Sequence, residues 1–283
     1  MIRLDDFRIR TMRREELSFA LDLAAKEGWN PGLHDAECFY LADPDGFLIG
    51  ELGGERVGCI SAVSYGGRFG FVGLFIVRPE FRARGYGRRL FEAALERLRG
   101  QNIGLDGVVA QQEHYARHGF RLAYRNVRYR GRAASVEVDA SIGPATSVDF
   151  DAIRALDREV FPEPREAFLR AWLTQPACRA FVARAGHDLR GYAVMRRCRE
   201  GWKVGPLVAE DGLTARRLYD AASSSAPERD ALFLDLPESN ARALVLAAEL
   251  ELSPVFETAR MYTGPDPAVR LQKLFGVTTF ELG

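Results

Sequence analysis

The sequence predicts an α/β (α+β) chain built from two similar units, each a sheet flanked by helices, and three observations carry that prediction. A length of 283 residues favours two domains of ordinary size. Residues 67–98 run as an apolar, partly β-branched stretch, a proline turn, a glycine loop and a segment apolar at helical spacing. GCISAVSYGGRFGFVGLFIV (58–77) returns in worn form as GYAVMRRCREGWKVGPLVA (191–209), and RRLFEAA (88–94) returns as RRLYDAA (216–222).

Taken in order, FRIRTMRREELSFALDLAAKEGW (7–29) reads as a strand and then a helix, with Leu17, Ala20, Leu21 and Ala24 as its apolar face and Gly28 as its stop. Residues 27–50 combine two proline turns with Trp29, His34, Asp35, Glu37 and Tyr40. GRFGFVGLFIV (67–77) is of strand length, and Pro79 closes it because proline has no N–H for a ladder and fixes its own φ. The following helix turns Leu90, Phe91, Ala94, Leu95 and Leu98 to one side and leaves Glu92, Glu96 and Arg97 for water. Directly before it stand Arg82, Arg84, Gly85, Gly87, Arg88 and Arg89. A helix N-terminus exposes unpaired N–H groups and partial positive charge, so the expected guest is a phosphate or pyrophosphate. It is not a P-loop, which needs a lysine, nor a dinucleotide fingerprint, which needs a third glycine. QEHYARHGF (112–120) reads as a helix stopped by Gly119, with a strand beginning at Phe120.

ASIGPATS (140–147) reads as the linker and SSSAPE (223–228) as a loop within the second unit. Ten residues separate Val77 from Arg88, but only six, EDGLTA, separate Ala209 from Arg216. Those six contain no arginine, one glycine and two acids, so the second unit is expected to have lost its phosphate loop.

Composition narrows the function. With 39 residues of each charge sign the formal net charge is zero, so no bulk field recruits nucleic acid or an anionic membrane. Cys38, Cys59, Cys178 and Cys198 lie far apart with no CxxC pairing, so free thiols are expected rather than a disulfide frame or a metal site. MIRLDDFRIR is too charged for a signal peptide and no apolar run approaches spanning length, so the expected location is the cytoplasm.

The loop resembles the acyl-CoA signature of the GNAT N-acyltransferase superfamily: a strand, V-x-P-x-x-R, then [RQ]-x-x-G-x-[GA], then a helix. Val77, Pro79, Arg82, Gly85 and Gly87 fill it. The whole chain is similar to bacterial two-domain GNAT proteins with a degenerate second domain, whose C-terminal pattern matches Gly205-Pro206 and Arg260-Met261-x-x-Gly264. The resemblance implies two tandem GNAT-like domains, each a mixed, mostly antiparallel twisted sheet flanked by helices. Residues 1–140 would be the catalytic domain; residues 141–283 would lack a CoA loop and wall the acceptor pocket. It implies acetyl-CoA as co-substrate, held by Phe75, Ile76, Val77, Arg82, Ala83, Arg84, Gly85, Tyr86, Gly87 and Arg88, and no metal.

In the family's Y-x-x-x-G-F pattern Tyr115 takes the place of a tyrosine general acid, although a packing role fits the same spacing. The acceptor would be a primary amine of a small molecule or peptide, attacking directly in a ternary complex. Glu27, Trp29 and Asp35 fall where the family places its acceptor site, while Trp29 serves equally well as a packing residue. Two positions depart from the family. Val108 replaces an asparagine seven residues before the tyrosine, and no acid stands on the strand where many members carry a glutamate base. Glu27, Asp35, Glu37, Glu51, the second half or water are the candidate proton acceptors. The same gap motivates the other reading, a non-catalytic CoA-responsive binding module.

Overall fold

The computed structural model describes residues 6–283; the first five residues, half of the charged stretch read against a signal peptide, lie outside the described residues. The first unit begins with β1 (Phe7–Thr11), α1 (Leu17–Lys26) and α2 (Asp35–Ala42), then β2 (Phe47–Leu52), β3 (Glu55–Tyr65) and β4 (Phe69–Val77). It continues with α3 (Tyr86–Arg97), β5 (Asn102–Val108), a short α4 (Gln112–Ala116) and β6 (Arg121–Arg132). The second unit repeats the plan as β7 (Ile142–Pro144), α5 (Phe150–Val160), α6 (Glu166–Thr174), β8 (Cys178–Ala185), β9 (Asp188–Arg197) and β10 (Trp202–Ala209). It ends with α7 (Gly212–Ser225), β11 (Ala231–Pro237), α8 (Ala241–Glu249), β12 (Ser253–Tyr262) and β13 (Leu274–Gly276). The stretch read as a linker therefore contains an edge strand. Half of the expected serine loop is the last turn of α7, where Ser223 and Ser224 hydroxyls accept from the Ala134 and Val136 amides at 2.9 and 3.0 Å.

All strands join one sheet in the order β1-β2-β3-β4-β5-β12-β6-β11-β10-β9-β8-β7, with β13 paired to β10. Only β4–β5 and β10–β11 are parallel among the described pairs; the rest are antiparallel. Matching the strands from the two ends inward pairs β1 with β7 and β5 with β11, and leaves β12 and β6 as counterparts at the centre. Each unit's sixth strand is inserted between the fifth and sixth strands of the other: β12 pairs with both β5 and β6, and β6 with both β12 and β11.

The glycines that open the two repeats hold the same place. A Cβ on Gly58 would lie 2.4 Å from the Ile76 carbonyl oxygen, and one on Gly191 would lie 2.5 Å from that of Val208. No larger residue fits where these strands cross so closely.

α3 packs Leu90, Phe91 and Ala94 against Val57, Ile60 and Val72 on one face of the first half of the sheet. The opposite face is covered by α1 and α2 together with α6 of the second unit, where Phe39 and Trp172 stack 6.3 Å apart. Cys38, Cys59 and Cys198 are buried, Cys178 is half-buried, and all four are free. No helix of the described residues is long and apolar enough to cross a membrane.

Candidate active site

The site begins at a fault in the sheet. β4 and β5 pair only from Phe69–Asn102 to Val72–Leu105 and then part. Opposite, β3 pairs Ser61 with Gly73 but Cys59 with Ile76, so β4 carries one extra residue there, and Leu74 adopts φ +46°. A bulge of this kind bends its strand and leaves backbone groups unpaired. Beyond it, Gly73–Val77 and Asp106–Val108 line the two sides of a cavity of about 680 Å³.

At the far end of β4 the loop turns back over the cavity. Gly85 caps α3 in the left-handed conformation, φ +83°, which glycine adopts without strain. Gly87 lies against Phe75 and Val77, where even a Cβ would only touch at 3.4 Å. Ala83, Gly85, Gly87 and Arg88 line the cavity, so the free amides of the first helical turn border it. Arg82 is fixed at the rim: its Nε donates to the Val77 carbonyl at 2.8 Å, and its guanidinium pairs with Glu27. A cleft with unpaired strand amides at one end and a helix N-terminus at the other fits a long ligand that carries amides and phosphate. The donor set suits an acyl-CoA substrate.

Tyr115 lines the cavity on the β5 side of the split. Its ring lies over Gly107, where a Cβ would come within 2.4 Å of the ring, and it packs beside Phe91, 5.8 Å between centroids. Burial pushes the phenol's pKa up to about 12, so it holds its proton at neutral pH. His114 beside it, 5.8 Å between rings, has its pKa lowered by burial and then by His118.

Eight of the ten expected CoA-loop residues line the cavity, and so do Tyr115, Glu27 and Trp29. Three side chains are elsewhere. Tyr86 turns into the core against Phe7, 4.7 Å between rings, so only its main chain can serve a ligand, and the exposed Arg84 lies over the Phe81 ring at 5.9 Å. Asp35 is a correction: it does not reach the cavity. It is fully buried, accepts from Arg196 at 2.9 and 3.3 Å and from the Gly32 amide at 2.7 Å, and so ties α2 to β9.

The remaining wall is made of residues that were not among the expected site residues. Asp106 on β5 is clamped by Arg260 at 2.9 and 2.6 Å and by Asn126 at 2.8 Å, and Val108 is beside it. Phe256, Thr258, Phe280 and Glu281 come from the second unit. Arg260 had been noted in the late R-M-x-x-G pattern, but no local signal marks the other four.

The second unit has the same fault with a different outcome. β10 pairs with β11 only over Trp202–Val204, and its ladder to β9 shifts between Val204 and Leu207. There the gap is filled by the chain itself: β13 pairs with β10 through Leu207 and Val208, and the Val277 amide donates to the Asp235 carbonyl at 2.7 Å. At the head of α7 the Asp211 carboxylate caps the helix by accepting from the Thr214 amide at 2.8 Å. Glu210 pairs with Lys273.

A sheet split beside a glycine-capped helix makes a cleft suited to an acyltransferase of the acyl-CoA-using class. Residues 9–122 match the acetyltransferase (GNAT) family and residues 153–276 a second acetyltransferase (GNAT) domain, so the chain belongs to the GNAT family as a two-domain member. It is 30% identical over 271 residues to holothin acyltransferase of Pseudoalteromonas sp. (strain SANK 73390), covering 95% of this chain and 92% of that protein. It is 25% identical to an uncharacterized N-acetyltransferase of Bacillus subtilis (strain 168), over 81% of this chain and 82% of the relative. A putative acetyltransferase from Pyrococcus horikoshii shares the fold with a TM-score of 0.85 at 21% identity, covering 100% and 98% of the two chains. A tandem GNAT protein from the clavulanic acid biosynthesis pathway does so with a TM-score of 0.64 at 16% identity, covering 92% and 99%.

Proposed function

We propose that this acyltransferase moves an acetyl group from acetyl-CoA to a primary amine of a small molecule or peptide, by direct attack with both substrates bound. In this reading residues 1–140 hold acetyl-CoA and residues 141–283 wall the acceptor. The observation that carries it is the position of Tyr115, a buried, protonated phenol beside the split between β4 and β5. Bound acetyl-CoA supplies the activated acyl carbon. The edge of Phe75–Val77 turned away from β3, where β5 has parted from β4, would take its amide arm as an added strand, and Gly85, Gly87 and Arg88 its pyrophosphate. Tyr115 would give its proton to the departing sulfur. The 30% identity to a protein named for acyl transfer to holothin supports transfer to a specific acceptor.

The second reading, a CoA-responsive binding module, is favoured by one observation: β4 (FGFVGLFIV) carries no acid to take the amine's proton. Calorimetry with acetyl-CoA, followed by thiol release over a panel of primary amines, separates the two. Binding with turnover supports the enzyme; binding without turnover of any amine supports the module.

A further inference from the structure

The amine that attacks must first be deprotonated, and β4 offers no carboxylate. Three carboxylates line the cavity: Glu27, Asp106 and Glu281. Glu27 is paired with Arg82 at the rim. Asp106 is held on Oδ1 by Asn126 and Arg260 and on Oδ2 by Arg260. Glu281 differs. Its Oε2 accepts from the Thr279 hydroxyl, while its Oε1 has no hydrogen-bond partner among the described residues.

Its place is set by the backbone. The main-chain oxygen of Glu281 lies 2.0 Å from where a Cβ on Gly73 would be, so the final segment is seated directly on the β4 bulge. The next residue is anchored too, the Tyr65 hydroxyl donating to the Leu282 carbonyl at 3.0 Å. The cations whose charge reaches the carboxylate are Arg128 of β6 and Arg196 of β9, the latter with its buried Nη1 unpartnered. Each already grips another acid through two nitrogens, Arg128 with Asp235 and Arg196 with Asp35, and Lys203 of β10 stands 3.9 Å from Asp235. Glu281 thus keeps an oxygen for a ligand in a region whose other acids are spoken for.

The surroundings define the ligand. Trp29, Phe256 and Phe280 also line the cavity, with Phe256 and Phe280 6.2 Å apart, Arg128 packed against Phe280 at 5.0 Å and its Nη1 donating to the Trp29 carbonyl at 2.7 Å. Flat apolar walls beside one available anion recognise a cation on a flat apolar body.

We propose that Glu281 receives the acceptor's ammonium group and takes its proton, and that the acceptor is a primary amine carried on an aromatic or heteroaromatic body. This rests on the acyltransferase reading of the cleft. The ammonium loses one proton to Glu281 Oε1, which later returns it to solvent. As the C–N bond forms and the C–S bond breaks, the nitrogen gives up a second proton. That proton replaces the one Tyr115 hands to sulfur.

The test uses the full chain with acetyl-CoA and tryptamine as probe amine, read by thiol release, comparing wild type with Glu281→Gln and Glu281→Asp. The wild type should acetylate tryptamine. Glu281→Gln should lower kcat/KM by about 10²–10⁴-fold while acetyl-CoA affinity and Tm stay as in the wild type, and Glu281→Asp should recover part of the loss. A Gln variant as active as wild type, or one that loses acetyl-CoA binding or Tm together with activity, overturns the role. A wild type that binds acetyl-CoA but leaves tryptamine untouched overturns the aromatic acceptor. Failure of the wild type to bind acetyl-CoA at all overturns the acyltransferase reading instead.

Discussion

Gly73 of β4 and Gly205 of β10, the corresponding glycines of the two sheet faults, are covered by one short segment of chain. A Cβ on Gly205 would lie 2.5 Å from the Val277 carbonyl oxygen, and one on Gly73 would lie 2.0 Å from that of Glu281. The last residues therefore cross from one fault to the other, closing the second with β13 and leaving the first open beside the cavity.

That crossing tolerates no side chain at either glycine. Gly73→Ala and Gly205→Ala should each lower stability by about 1–3 kcal/mol, the usual effect of forcing a methyl into packed backbone. Urea denaturation measures it. A variant as stable as the wild type would mean that the segment can move aside freely.

Only the first fault should bind acetyl-CoA, because β13 and the Asp211 carboxylate already occupy the corresponding places in the second unit. Calorimetry should find one ligand per chain, removed by Gly87→Glu, which sets a carboxylate against Phe75 and Val77 among the first-turn amides. A stoichiometry of two would refute this.

Tyr115→Phe keeps the ring over Gly107 and removes only the transferable proton. It should lower kcat by about 10²–10⁴-fold with acetyl-CoA affinity unchanged. Since burial raises the phenol's pKa to about 12, the protonated form is present at all pH values below that. The wild-type rate should thus show no alkaline fall due to Tyr115 until pH approaches about 12. The sign is the same for stability: a raised folded-state value stabilises the fold below the phenol's ordinary value and loses that contribution as pH rises through about 12. An unchanged kcat in the Phe variant, with chemistry rate-limiting, would leave Tyr115 as packing.

Side-chain exchange on the open part of β4 should matter little to the donor if its main chain makes the contacts. Ile76→Val, at a buried position, should cost about 0.5–1.5 kcal/mol in stability yet leave acetyl-CoA affinity as it was. A crystal of the complex with the amide arm away from Phe75–Val77 would refute the placement.

The parts legible in the sequence were those whose cause is local. Gly85 and Gly119 take φ +83° and +88°, and each can be read from its neighbours because a helix begins at one and ends before the other. The repeat was legible because equal strands leave equal patterns, Gly58 and Gly191 included. Asp35 misled because nearness in the chain to Trp29 says nothing of Arg196, 161 residues away, which claims it. Glu281 was illegible for the converse reason. TTFELG has no periodicity and no motif, and its place depends on Gly73, more than two hundred residues earlier.

The halves should not fold apart. Residues 1–140 alone leave β5 and β6 without the strand that joins them, and residues 141–283 alone leave β11 without its neighbour β6. Each expressed singly should be insoluble or lack a cooperative transition, and co-expression should restore a soluble pair. Two independently soluble halves would refute this.

The exchanged central strands also constrain how such a chain can be inherited. Because each unit lends a strand to the other, a deletion that removes either unit whole also removes a piece of the other's sheet. The cleft of the first unit depends on the second as well, because Phe256, Thr258, Phe280 and Glu281 line it. The two units are held together by the topology of a single sheet.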